Sequence, residues 1–104
     1  GKLIDNFILD KNLPYIFGRP DIDEFLKFKK IIDRSKLSYE NIKSIFYFQS
    51  RRWDIKLKND VLIKLPKNNI KKSLDDAYFF LDEKNFNSIK IIDTRIENQI
   101  IVNE

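Results

Sequence analysis

Between Trp53 and Leu65 large apolar side chains alternate with polar ones: Trp53, Ile55 and Leu57, then Val61, Ile63 and Leu65. A period of two marks half-buried strands. Setting Leu57 against Val61, Ile55 against Ile63 and Trp53 against Leu65 collects every large apolar residue on one face, whereas a slip by one residue sets Ile55 against Lys64. The favoured register leaves Lys58-Asn59-Asp60 as a three-residue loop, which usually ends on a residue with positive φ, and Asn and Asp tolerate that conformation.

Elsewhere the period lengthens. Ile22, Phe25, Leu26, Phe28 and Ile32 recur at helical spacing, with Asp21 placed to cap a helix and Glu24 to reach back as in a capping box. That helix is expected to end near Asp33. A second, with Ile70, Leu74, Ala77, Tyr78 and Leu81 on its inner side, follows the Pro66 stop, is capped by Asn68 or Asn69 and runs to about Glu83. Leu13 to Gly18 reads as a short extended piece closed by a turn, Tyr39 to Ile42 as a turn of helix, and Lys43 to Arg52 as a long strand. The runs Ile89 to Ile96 and Gln99 to Asn103 form a hairpin closing on Glu97-Asn98. The order implies one α+β domain over residues 1–104: a mainly antiparallel, bent sheet, two main helices packed on it, and a C-terminal hairpin whose last strand is an open edge.

Composition narrows the chemistry. Hydrophobic residues form 42% of the 104, enough for a modest core, while 20 Lys and Arg against 16 Asp and Glu leave a mildly basic chain. His and Cys are both absent, which removes the usual zinc ligands, the usual base of a Ser or Cys nucleophile, and any disulfide. No run approaches the roughly 20 apolar residues that span a bilayer. The chain opens on Gly1, so a longer parent protein, with room for an upstream anchor, is the expectation.

Asp75-Asp76 and Asp82-Glu83 offer carboxylates, but neighbours on a helix point apart and read as its solvated side. Neither catalysis, a metal nor a cofactor is expected. Lys27 to Lys30 and Phe46 to Trp53 mix cations with aromatics, as nucleic-acid-binding modules do; acidic residues are interspersed throughout, and a solvated face over an aromatic core is the better account. Arg51 and Arg52, read as strand neighbours, send one guanidinium to each face, and the exposed one presents a planar fork to a carboxylate. Its ordinary alternative is a local surface ion pair. Arg95 raises the same question before the terminal hairpin.

Leu13-Pro14 through Gly18, Arg51-Arg52-Trp53, Leu57-Lys58-Asn59-Asp60-Val61, Leu65-Pro66 and Ile92-Asp93-Thr94-Arg95 together resemble the C-terminal β domain of the bacterial cell-division family FtsQ/DivIB. The resemblance implies a protein of the inner membrane with a short cytoplasmic tail, one spanning helix, a POTRA domain, and this domain in the periplasm at the division septum. It implies a scaffold without catalysis that binds FtsB and FtsL and through them bears on the synthase pair FtsW and FtsI. In such proteins FtsB adds a strand to the last strand and sets acidic side chains near arginines. Carried over by position, those arginines match Arg95 and either Arg51 or Arg52. Two departures are visible: Asp60 stands where a turn glycine is usual, and Ile96 where some relatives carry an aromatic residue.

A strand left open at the end of a chain is a liability for a monomer and an asset for a protein that recruits another strand. The expected partner-binding set is therefore Arg51, Arg52, Arg95, Ile96, Asn98, Gln99, Ile100, Ile101 and Val102. The alternatives are a hairpin covered by a helix or by residues 2–9 and, for function, a basic nucleic-acid-binding module.

Overall fold

The computed structural model describes residues 13–84, 90–96 and 100–103. Six strands form one open sheet in chain order: β1 (Tyr15–Phe17), β2 (Ile42–Tyr47), β3 (Trp53–Leu57), β4 (Leu62–Lys64), β5 (Ile91–Asp93) and β6 (Ile101–Asn103). Helix α1 (Ile22–Arg34) connects β1 to β2, followed by a 3-10 turn at Tyr39–Asn41, and α2 (Ile70–Lys84) connects β4 to β5. The fold is α+β, as the sequence implies, but the sheet is mixed. β2/β3, β3/β4 and β5/β6 are antiparallel, whereas β1/β2 and β4/β5 are parallel.

Those two parallel steps decide where the helices go. β1, β2, β4 and β5 all run the same way, and both crossovers advance in the same direction across the sheet. Right-handed crossovers of that kind place both helices on one face.

The register builds the core row by row. Ile16, Ile45, Ile55, Ile63, Ile92 and Val102 stand opposite one another from β1 to β6. The four central isoleucines are fully buried under the helices. The expected β3/β4 pairing is present, with Ile55 opposite Ile63 and Leu57 N–H bonded to Val61 O at 2.9 Å. Asp60 ends the loop at φ 69. From α1, Phe28 stacks on Trp53 with centroids 4.3 Å apart, and from α2, Leu74 and Ala77 close the other end.

Three expectations change. Lys43 to Arg52 is not one strand: β2 ends at Tyr47, and Phe48 to Arg52 turn the chain back, Phe48 N–H donating to Arg52 O at 3.0 Å and Arg51 N–H to Phe48 O at 2.8 Å. Arg51 takes φ 65, which lets so short a segment reverse direction. No capping box forms either. Asp21 occupies the N-cap without a side-chain bond, and Glu24 instead accepts the Tyr47 hydroxyl, tying α1 to β2. Finally, Ile22 and Leu26 lie outside the core, 64% and 43% exposed.

Gly18 follows β1 at φ 100, and a Cβ there would lie 2.3 Å from the Tyr47 carbonyl oxygen. Only glycine permits that approach of β1's end to β2.

Candidate protein-interaction edge

β6 is the last strand of the sheet, and its orientation follows from the bonds one strand further in. Leu62 N–H donates to Lys90 O at 2.8 Å and Thr94 N–H to Lys64 O at 2.9 Å, so in β5 residues 90, 92 and 94 turn their backbone groups toward β4. Backbone directions alternate along a strand, hence Ile91 and Asp93 face β6. Their partners are Asn103 and Ile101. Val102, opposite Ile92, is left with its N–H and C=O directed away from the sheet.

Side chains alternate the other way. Val102 packs half-buried against the core, whereas Ile101 shares the helix-free face with Asp93 and is 41% exposed. Ile96 and Ile100 are exposed as well. Glu97, Asn98 and Gln99 lie outside the described residues, as does the segment 2–9 that offered an alternative cover.

Arg95 comes off the end of β5 already engaged. Its Nε donates to Asp93 Oδ1 at 2.9 Å and its Nη2 to Oδ2 at 2.6 Å, while its backbone N–H reaches Oδ1 at 3.0 Å. These bonds hold the Asp93 carboxyl below its ordinary pKa and push the Arg95 guanidinium above its own. Nη1 has no acceptor among the described residues and is the arm free to take a carboxylate.

Arg52 and Arg51 part company. Arg52 pairs with the buried carboxylate of Asp54 and donates to Leu65 O at 3.1 Å, with Phe48 against its guanidinium at 4.8 Å. Arg51 sits exposed in the β2/β3 turn, so the idea of two strand neighbours facing opposite ways falls with the long strand. Extending the observed register two residues beyond Lys64 puts Arg52 beside Pro66 and Pro66 beside Arg95. The fold thus lines up Arg52 and Arg95 on the helix-free side of one sheet end. Spacing already hinted at both ion pairs: Arg52/Asp54 and Asp93/Arg95 are two apart on extended chain and share a face.

Sequence reasoning missed the groove beside this row. About 470 Å³ in volume, it runs from Pro66 and Lys67 past Ser73, near the start of α2, to Arg95, Ile96 and Ile100. The parallel β4/β5 step brings these segments together, and no local pattern announces it. Among the described residues no cluster of Asp and Glu is arranged to hold a metal; Asp75 and Asp76 instead pair with Lys71 and Lys72 one turn away on α2.

Residues 1–95 match the family described as cell division protein FtsQ/DivIB, C-terminal. The chain belongs to that family. No curated protein matches it individually. As a member of FtsQ/DivIB it has a role in cell division, and the matched region contains both arginines of the row, Arg52 and Arg95. The edge strand β6 lies beyond it. No helix among the described residues is long and apolar enough to cross a membrane.

Proposed function

We propose that this domain is a non-enzymatic divisome scaffold that binds FtsB, and FtsL with it, by adding a partner strand to the outer edge of β6. In the parent protein the domain sits in the periplasm at the septum, behind a POTRA domain and a single spanning helix. The observation that carries the reading is the outward N–H and C=O of Val102, flanked by exposed Ile100 and Ile101. Main-chain bonds supply generic affinity, and Arg95, with Arg52 in line behind it, selects a partner whose carboxylates precede its strand. Asn98 and Gln99 complete the proposed contact set; Arg51, exposed in the β2/β3 turn rather than in the row itself, contributes least. A nucleic-acid-binding role is the weaker reading: Lys29, Lys43, Arg52, Lys71, Lys72 and Arg95 are each paired to a carboxylate, and acidic residues are interspersed among the remaining cations.

Proline scanning of β6 tests the mechanism. Ile101→Pro removes a donor that faces β5 and damages the domain's own ladder, whereas Val102→Pro removes the outward donor alone. With Val102→Ala as the control for lost packing, Val102→Pro is expected to keep its circular dichroism and lose binding to an FtsB segment in a calorimetric titration. Undiminished affinity in a folded Val102→Pro domain rules out strand addition at this edge.

A further inference from the structure

The two helices show solvent very different faces. On α2, Lys71 and Lys72 are each matched by an aspartate one turn on, Asp75 and Asp76, at 2.8 Å. On α1 the outward side carries Ile22, Leu26, Lys27, Lys30 and Arg34, and among the described residues none of these three cations makes an ion pair. Lys27, Lys30 and Arg34 follow one another at i, i+3 and i+7, so like charges stand one turn apart and repel. Compensation of the helix dipole accounts for Arg34 in the last turn but fades before Lys27. Beside them Ile22 and Leu26 expose aliphatic side chains one turn apart, and Lys30 continues their stripe about 12 Å from Ile22.

We propose that the outer face of α1 docks an acidic amphipathic helix of another protein. The complementary helix carries aliphatic residues one turn apart against Ile22 and Leu26, then Asp or Glu one and two turns on, against Lys27, Lys30 and Arg34. Carboxylates there relieve the repulsion that the free helix retains. Two other occupants fit less well: a phosphate backbone has no use for Ile22 and Leu26 and meets Asp23 one turn before Lys27, and a bilayer surface finds no aromatic anchor on this face. α1 bridges β1 and β2, at the end of the sheet opposite β6. Both surfaces can therefore be occupied at once, which gives the scaffold two separate grips.

The test uses the whole protein in its own cells, with benzoylphenylalanine replacing Asp23, an exposed position amid the proposed contacts. Ultraviolet light is expected to yield a protein adduct whose mapped peptide is an amphipathic helix with carboxylates. Lys27→Glu, Lys30→Glu and Arg34→Glu together are expected to cut that yield at least about tenfold, while Val102→Pro leaves it unchanged, which separates this surface from the β6 edge. If the triple reversal lowers the melting temperature, the Gln versions of the same three substitutions replace it. Adducts to lipid or nucleic acid alone, a mapped peptide without carboxylates, no adduct above background, or a yield indifferent to the charge changes each overturn the proposal.

Discussion

Asp93 chelates Arg95 through Nε at 2.9 Å and Nη2 at 2.6 Å, so the cation nearest the terminal strand is held in place by its own neighbour two residues back. The arrangement stabilises the fork and also competes with any incoming carboxylate. Asp93→Asn is expected to lower domain stability by only about 0.2–1 kcal/mol, the range for partly exposed pairs. Urea melts check this, and the difference is expected to shrink in 1 M salt. A loss several times larger would mean that the pair supports the fold rather than the edge.

The buried isoleucine row makes a second prediction. Ile55→Ala or Ile63→Ala removes a side chain with no solvent exposure and is expected to cost about 2–5 kcal/mol. Lys56, one residue along on the other face, is expected to tolerate Ala within about 0.5 kcal/mol. Comparable losses at Lys56 and Ile55 contradict the register.

Among the described residues Tyr39 keeps a buried hydroxyl oxygen without a hydrogen-bond partner, and burial with nearby Asp33 pushes its pKa up to about 12. Lys29 lies 4.7 Å over its ring, a contact that Phe preserves. Tyr39→Phe is therefore expected to stabilise the domain, by up to about 1 kcal/mol, because it deletes only the unsatisfied group. A drop in melting temperature would show that the hydroxyl has a partner after all.

Asp75 ties α2 to the segment just after α1, accepting the Lys36 N–H at 2.6 Å, and also accepts Lys71 Nζ at 2.8 Å. Burial pushes its carboxyl up, but these two bonds outweigh it and hold the pKa below the ordinary value. A depressed carboxylate stabilises the fold above its unfolded pKa, near about 3.9, and that contribution is lost as pH falls through the folded value. Asp75→Asn is accordingly expected to melt below the parent at pH 7, and the two melting temperatures to converge as the pH falls below the unfolded carboxylate range and through the depressed folded value. A gap that stays constant down to pH 2.5 would remove Asp75 from the acid response.

What the sequence made legible were features encoded within a few residues. Trp53, Ile55 and Leu57 against Val61, Ile63 and Leu65 left one register that buries them all, and Asp60 was a residue able to take positive φ. The β2/β3 turn was hidden because Gln49-Ser50-Arg51 contains no Gly, Pro, Asn or Asp, and it is Arg51 that adopts the left-handed conformation. Glu24 had the spacing of a capping residue, yet Tyr47, distant in sequence, took its carboxylate. Parallel pairing left no local trace either: strands of three residues such as Tyr15–Phe17 and Ile91–Asp93 carry too little pattern to name a neighbour across a helix. The same gap applied at the candidate site, where Arg95 could be singled out but its alignment with Arg52 through Pro66 depended on that parallel step.

β6 is three residues long, and among its described side chains Val102 is the one that reaches the core. So slight an anchor means that detaching the strand exposes little apolar surface, and the free energy of that local opening is a small fraction of the global value. In the isolated domain the amides of Ile101 and Asn103, though bonded to β5, are expected to exchange with solvent far faster than those of Ile55 or Ile63. A partner strand laid on Val102 converts β6 from an edge into an interior strand, so part of its binding energy goes into closing the sheet's own last layer.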